Sequence, residues 1–179
     1  MPTVVEAVIP TDNGLFLVRD VSAVSREAQL AVFQAVRIPN SRRGRLSAAA
    51  AGILLVRGAY QMTRPRLRIE VLDTAPTEEP PWHWEPQTKV DLATGRLVVE
   101  ADPSFPLDVP VVELPAGPGR YAVALGHTGR AEMQREAARV GAETLSVPAD
   151  VSAAAWQSLA GLEQYLIRLW PEHRTGPVE

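Results

Sequence analysis

Apolar and polar residues alternate one by one through several short segments of this chain, and this period of two residues restricts its fold more than any other feature. Within residues 66–73 (RLRIEVLD), Leu67, Ile69 and Val71 fall on one side of an extended backbone. The charged residues Arg66, Arg68 and Glu70 fall on the other side. A helix cannot place every second residue on one face, so the segment predicts a β-strand with one buried side. Similar segments recur along the chain between stretches that contain Gly, Pro or Asn.

The recurrence of these strands predicts a mainly β fold, an antiparallel two-sheet β-sandwich with one or two short helices. The length of 179 residues fits a single domain over 1–179. Residues 130–142 (RAEMQREAARVGA) contain strong helix formers and predict a helical insert. Residues 25–37 fit either a helix or a strand, because LAVFQAV within them also alternates. Residues 75–86 (APTEEPPWHWEP) contain four prolines and predict a loop, because proline cannot donate a hydrogen bond to a neighbouring strand.

Two short turn sequences predict hairpins. Asn13–Gly14 lies between TVVEAVI and LFLVRDV, and ATG at 93–95 lies between TKVDL and RLVVEAD. Glycine-containing turns between alternating segments are typical of two strands that pair with each other. We therefore expect each pair of flanking strands to form a hairpin.

The glycine-rich stretch in residues 114–130 (LPAGPGRYAVALGHTGR) invites comparison with a phosphate-binding loop. Such a loop follows a strand, precedes a helix and contains a lysine that reaches the phosphates. Here the glycines precede an alternating segment, and no lysine follows them. The stretch therefore predicts a turn that leads into a strand, and it does not indicate a nucleotide-binding site.

Charge is distributed unevenly, although the net charge is only −3. Residues 19–68 contain ten arginines and two acidic residues, whereas residues 70–113 contain ten acidic residues, one lysine and one arginine. Two arrangements fit this pattern: the basic and acidic strands lie side by side and neutralise each other, or the acidic residues form a separate face that attracts a basic partner. Direct nucleic-acid binding is not expected, because no motif for it accompanies the arginines.

The residues that usually carry catalysis are sparse in this sequence. His83, His127 and His173 are far apart, without the close spacing typical of zinc ligands, and we expect them to be exposed loop residues. The chain contains no cysteine, which suits a reducing cytoplasm, and it contains no Gly-x-Ser-x-Gly nucleophile motif. We expect no catalytic residues, no metal site and no cofactor.

Two motifs near the C-terminus carry a family resemblance. LPAGPGRYAVALGHTGR and the later QYLIRLWPE resemble a pattern in small bacterial β-sandwich proteins and, more distantly, the competence protein J family, whose founding member inhibits a nuclease. The matching positions are Leu114, Pro115, Gly119, Tyr121, Gly129, Arg130, Tyr165, Ile167, Trp170 and Pro171. The resemblance implies a β-sandwich, and it implies an inhibitor or immunity role.

The sequence-based hypothesis is a cytoplasmic, non-enzymatic module that binds a protein, such as a basic bacterial toxin or nuclease, and occludes its active site. The longest apolar run, residues 46–56, is too short to span a membrane, and no membrane partner is expected. Exposed acids and tryptophans of residues 73–85, in and next to the proline-rich stretch, are the candidate partner-binding residues. They are Asp73, Glu78, Glu79, Trp82, Trp84 and Glu85. One alternative is a carbohydrate or small-molecule site at the two tryptophans, and a second is a metal-dependent enzyme.

Overall fold

The computed structural model describes residues 3–11, 13–36, 45–78, 80–101 and 107–172. The strands of these residues are β1 (Thr3–Val8), β2 (Leu15–Asp20), β3 (Ser47–Ala50), β4 (Ile53–Arg57), β5 (Arg66–Val71), β6 (His83–Trp84), β7 (Thr88–Leu92), β8 (Arg96–Glu100), β9 (Val112–Glu113), β10 (Gly119–Thr128) and β11 (Gln164–Pro171). The helices are α1 (Arg26–Val36), α2 (Arg130–Glu143) and α3 (Ala149–Gln157).

The strands form two sheets, as the alternation predicts. A six-stranded sheet has the order β1-β5-β11-β10, and both β6 and β7 pair with the free edge of β10; a five-stranded sheet has the order β3-β4-β2-β8-β9. Every pair is antiparallel except β5 with β11. A parallel pair needs a long connection, which the many residues between these two strands provide.

The core lies between the two sheets and consists mainly of the residues that alternation places inward. Leu67, Ile69 and Val71 of β5 are buried there, as the sequence predicts. Tyr165 of β11 packs edge-to-face on Phe16 of β2, with ring centroids 5.3 Å apart, and so joins the sheets directly. The two-residue period of the sequence therefore corresponds to one face buried in this core.

Neither predicted hairpin forms. β1 pairs with β5 in the six-stranded sheet, whereas β2 pairs with β4 and β8 in the five-stranded sheet. In the same way, β7 pairs with β10, and β8 pairs with β2. Gly14 and Gly95 have positive φ angles of 65° and 69°, but each turn carries the chain from one sheet to the other. A turn sequence indicates a reversal of direction and does not identify the strand that becomes the neighbour.

Helix α1 resolves the ambiguity of residues 25–37, because its backbone is helical from Arg26. The Ala28 amide donates a hydrogen bond to Ser25 Oγ at 3.1 Å, which caps the helix start. Ala28 and Val32 pack against Ile53 and other residues on the outer face of the five-stranded sheet. Packing against the five-stranded sheet thus selects the helix over the strand that the alternation in this segment also allows. No helix within the described residues has the length and apolar character needed to cross a membrane.

The glycine-rich stretch is a turn that leads into a strand, as predicted. Gly117 has a φ of 71°, and its amide donates to the Leu114 carbonyl oxygen at 2.8 Å. β10 begins two residues later, at Gly119. The Tyr121 hydroxyl donates to the Gly117 carbonyl oxygen at 2.6 Å and fixes the turn against the strand.

Candidate functional site

The proline-rich loop, defined here as residues 73–85, folds against the outer face of the six-stranded sheet. Small residues of β10 provide the space: Gly126 pairs with Trp84 of β6, and Ala122 and Ala124 belong to one apolar cluster with that tryptophan. A Cβ atom at Gly126 would lie 3.1 Å from both Trp82 Cβ and Trp84 Cζ3. Both tryptophans therefore lie closely over this part of the sheet.

Arg168 of β11 fastens the loop to the sheet. Its Nη1 donates to the Glu78 carbonyl oxygen at 2.7 Å, and its guanidinium lies 5.6 Å from the centre of the Trp84 ring. Trp84 Nε1 in turn donates to the Pro80 carbonyl oxygen at 3.2 Å. The middle and the end of the loop are thus held by the same side chain.

Carboxylates on the neighbouring strands hold Arg168 in place. Its Nε donates to Glu70 Oε2 at 2.8 Å, while Arg68 donates to Glu70 Oε1 at 2.7 Å and also to Glu6 Oε1. Burial alone would raise the pKa of Glu70, but the hydrogen bonds from both arginines outweigh it and lower that pKa. This row of alternating charges runs from β1 to β11.

The described acidic residues of the 70–113 region fall into two groups in the structure. Glu70 pairs with Arg68, and Glu100 pairs with Arg19, so part of the acidic region neutralises the arginine-rich region. Other acidic residues, including Asp73, are exposed and make no ion pair with any described residue. Part of the acidic region is therefore paired with arginines, and part of it is exposed.

The structure separates the six predicted partner-binding residues into different environments. Asp73 and Glu78 are exposed and line a cavity of about 390 Å³ together with Arg168. Trp82 and Trp84 are half-buried against Gly126, and the Trp84 ring already contacts Arg168. Glu85 is half-buried on the other side of β6, where its Oε1 lies 3.7 Å from His127 Nε2. Glu79 lies outside the described residues.

Two of the histidines lie together, contrary to the expectation of solitary loop residues. His83 of β6 is opposite His127 of β10, and their ring centroids are 5.5 Å apart. His173 lies outside the described residues. In the part of the chain that the structure describes, no three His, Asp or Glu side chains converge in a way that could hold a metal ion. Sequence spacing gave no signal for the pair, because only the register of β6 on β10 creates it.

A buried polar cluster lies beside the histidines, at the start of α2. Arg130 Nη1 donates to Glu163 Oε1 at 2.9 Å and to the Arg57 carbonyl oxygen at 2.7 Å, and it also contacts the Tyr165 hydroxyl. The Glu163 side chain is 0% exposed and accepts a hydrogen bond from the Ala59 amide at 2.7 Å. The cluster connects β4 of one sheet to β11 of the other through α2.

Comparisons with known proteins give two similar solved structures. "Crocagin biosynthetic gene J" is 21% identical with a TM-score of 0.56, and the match covers 97% of this chain and 99% of that one. ComJ from Bacillus subtilis, described as an inhibitor of the DNA degrading activity of NucA, is 13% identical with a TM-score of 0.46, and the match covers 96% of each chain. The first comparison shows a shared fold, and the second structure bears the name of the family that the sequence motifs resemble. No protein-family model and no curated protein matches the sequence.

Proposed function

We propose that this chain is a protein-binding module that uses the proline-rich loop to cover a basic surface of a partner. The observation that carries the proposal is that Arg168 holds the loop against the sheet, while the carboxylates of Asp73 and Glu78 remain exposed. A loop that is already ordered loses less conformational entropy when a partner binds. Exposed carboxylates also attract a cationic surface and accelerate its association.

The partner that suits this surface is a nuclease or a toxin with a cationic active-site rim. Surfaces that bind nucleic acid are basic because they neutralise phosphates. Carboxylates at Asp73 and Glu78 would occupy positions that phosphates otherwise take, so binding would exclude the substrate. The activity named for ComJ belongs to that protein. Sugar stacking has less support, because the Trp84 ring contacts Arg168 and the sheet.

The first prediction concerns the two exposed carboxylates. We expect the double variant Asp73→Asn/Glu78→Gln to weaken partner binding by about tenfold or more at low salt, because two attractive charges are lost. The measurement is affinity capture from the native host, followed by purification of the captured protein and titration of its binding and of its nuclease or toxin activity. Wild-type chain is expected to inhibit the captured protein at a one-to-one ratio.

The matched control is Asp108→Asn/Asp150→Asn, which changes the net charge by the same amount at exposed positions outside the loop. This variant is expected to bind and inhibit like the wild type. A partner that binds the loop variant and the control equally well would show that the proline-rich loop is not the binding surface. A captured protein whose activity persists in the complex would remove the inhibitory part of the proposal.

The second prediction concerns the fastening of the loop. We expect Arg168→Met to lower the free energy of unfolding by about 2 kcal/mol, because the Glu78 carbonyl loses its donor and Glu70 loses one of two charged partners. Backbone amides within residues 73–85 should then exchange with deuterium faster than in the wild type. Arg96→Met is the control, because Arg96 forms an exposed ion pair with Glu113 on the other sheet. Unchanged exchange in the loop would contradict its fastening by Arg168.

A further inference from the structure

A cavity of about 500 Å³ lies between the paired histidines and the start of α2. We name it the histidine–arginine cavity. Its described lining includes His83, His127, Arg130, Glu132 and Arg135. None of the described partner-binding residues predicted from the sequence lines this cavity.

The side chains of this cavity are mainly hydrogen-bond donors. The positive charge of Arg130 is balanced from behind by the buried Glu163. Arg135, by contrast, is exposed and forms no ion pair with any described residue. Glu132 is the single carboxylate among the described residues that line the cavity. The cavity therefore presents an exposed guanidinium without an ion pair among the described residues, beside two imidazoles and one carboxylate.

His127 lies largely buried beside Arg130 and His83. Its Nδ1 is buried without a hydrogen-bond partner among the described residues, and its Nε2 is 3.7 Å from Glu85. Burial, together with the positive charges of Arg130 and His83, lowers the pKa of His127 to about 4. The imidazole is neutral at neutral pH, in a place where nearby positive charge opposes its protonation. A bound anion would reverse that opposition.

We propose that the histidine–arginine cavity binds a phosphate dianion, either inorganic phosphate or the phosphate group of a small phosphomonoester. A dianion with several acceptor oxygens suits donors that approach from β6, β10 and α2, and guanidinium groups bind phosphate through two parallel hydrogen bonds. The volume lies in the range of small-molecule sites and exceeds what a phosphate group alone needs. The remainder would accommodate the organic part of a phosphomonoester.

The third prediction tests this site by titration with inorganic phosphate against sodium chloride of equal ionic strength. Proton NMR of the histidine Cε1–H signals should show saturable binding at one site. The titration is carried out near about pH 8, where phosphate is mainly the dianion, and the His83 and His127 signals should follow one binding curve. The bound anion should also raise the pKa of His127 above about 4, because it offsets the charges of Arg130 and His83, although burial still lowers that pKa. Signals of His83 and His127 that do not respond to phosphate would overturn the proposal.

Three substitutions on the exposed face of α2 separate a specific site from general attraction. Arg135→Gln should weaken phosphate binding about tenfold, because a charge-assisted hydrogen bond is lost. Glu132→Gln should strengthen it about threefold, because a repulsive charge is removed. Arg139→Gln should leave it unchanged, since Arg139 pairs with Glu136 and Glu143 and does not line the cavity. Equal effects of Arg135→Gln and Arg139→Gln would contradict a site in the cavity.

A comparison of ligands distinguishes the two sources of the dianion. Glycerol 3-phosphate that binds more tightly than inorganic phosphate would identify a phosphomonoester as the ligand class, and the opposite order would identify phosphate itself. Dimethyl phosphate carries one negative charge and should bind weakly. If dimethyl phosphate bound as tightly as both dianions, the cavity would not select a dianion, and the proposal would be wrong.

Discussion

Replacing Glu163 by alanine is expected to lower the free energy of unfolding by about 3–5 kcal/mol, because one partner of a buried ion pair is removed. The Glu163 carboxylate lies 2.9 Å from Arg130 Nη1, and the two side chains are 0% and 15% exposed. Without the carboxylate, a largely buried guanidinium has no counter-charge, and the Ala59 amide loses its acceptor. Urea unfolding, monitored by tryptophan fluorescence, measures this loss.

Glu163→Gln, and a cycle of Glu163→Leu, Arg130→Met and their double variant, separate the effect of the ion pair from the effect of the space that the side chain fills. Glu163→Gln retains the shape and one acceptor, so it should cost about 1–2 kcal/mol. The double variant Glu163→Leu/Arg130→Met should be more stable than either single variant, since a buried pair replaced by apolar groups leaves no charge uncompensated. Additive losses in this cycle would show that the two side chains are not coupled. A loss below about 1 kcal/mol for Glu163→Ala would contradict the role of the cluster.

The same pair predicts a dependence on pH. Burial raises the pKa of Glu163 above its ordinary value of 4.5, and this effect outweighs Tyr165, Arg130 and the Ala59 amide. The folded chain therefore retains this proton to a higher pH than the unfolded chain does. The stabilisation from this proton is complete below the unfolded pKa and is lost as the pH rises through the folded pKa. The destabilisation measured for Glu163→Gln should accordingly be larger near about pH 4 than near about pH 8.

The sequence contains enough information to predict the strands and the two-sheet arrangement, and it does not identify which strands are neighbours. Alternation in residues 66–71 correctly predicts that Leu67 and Ile69 face a core. The parallel neighbour of this strand is β11, about a hundred residues later, and no local signal marks that pairing. The turn at Asn13–Gly14 predicts a reversal, but the energy of packing two sheets decides where the next strand lies.

In the candidate site, too, local features can be predicted from the sequence, whereas contacts between distant segments cannot. The prolines predict a loop over residues 75–86, and within this range His83 and Trp84 form the short strand β6, which pairs with β10. The importance of Arg168 could not be predicted, because it looks like any polar residue on the outer side of an alternating strand. The pairing of His83 with His127 also depends on the register between two distant segments. The contacts of the candidate site join strands that lie far apart in the sequence. The two-residue period of a single sequence does not show which of these strands pair.

Gly129→Ala is expected to be more destabilising than Gly117→Ala or Gly119→Ala, and to lower the free energy of unfolding by more than about 4 kcal/mol. Gly129 precedes α2 with a φ of 74°, a conformation that residues with a Cβ atom rarely adopt. A Cβ at this position would overlap the Leu162 carbonyl oxygen and lie 3.0 Å from the Leu162 carbonyl carbon. Both obstacles are backbone atoms, so no rotation of a side chain can relieve the overlap. The fraction of folded protein, followed by circular dichroism during urea unfolding, measures the loss.

Alanine substitutions at two other glycines near β10 separate the two causes of this loss of stability, which are the positive φ angle and the overlap of the Cβ atom with backbone. Gly117 has a φ of 71°, and a Cβ at this position would meet no atom within 4 Å, so Gly117→Ala should cost only the backbone term, about 1 kcal/mol. Gly119 has neither the positive φ nor a close neighbour, so Gly119→Ala should change stability by less than about 0.5 kcal/mol. Asparagine tolerates positive φ better than alanine, yet Gly129→Asn should remain severely destabilising because its Cβ meets the same carbonyl group. If Gly129→Asn were as stable as the wild type, the overlap with Leu162 would not be the cause, and backbone conformation alone would explain the requirement for glycine.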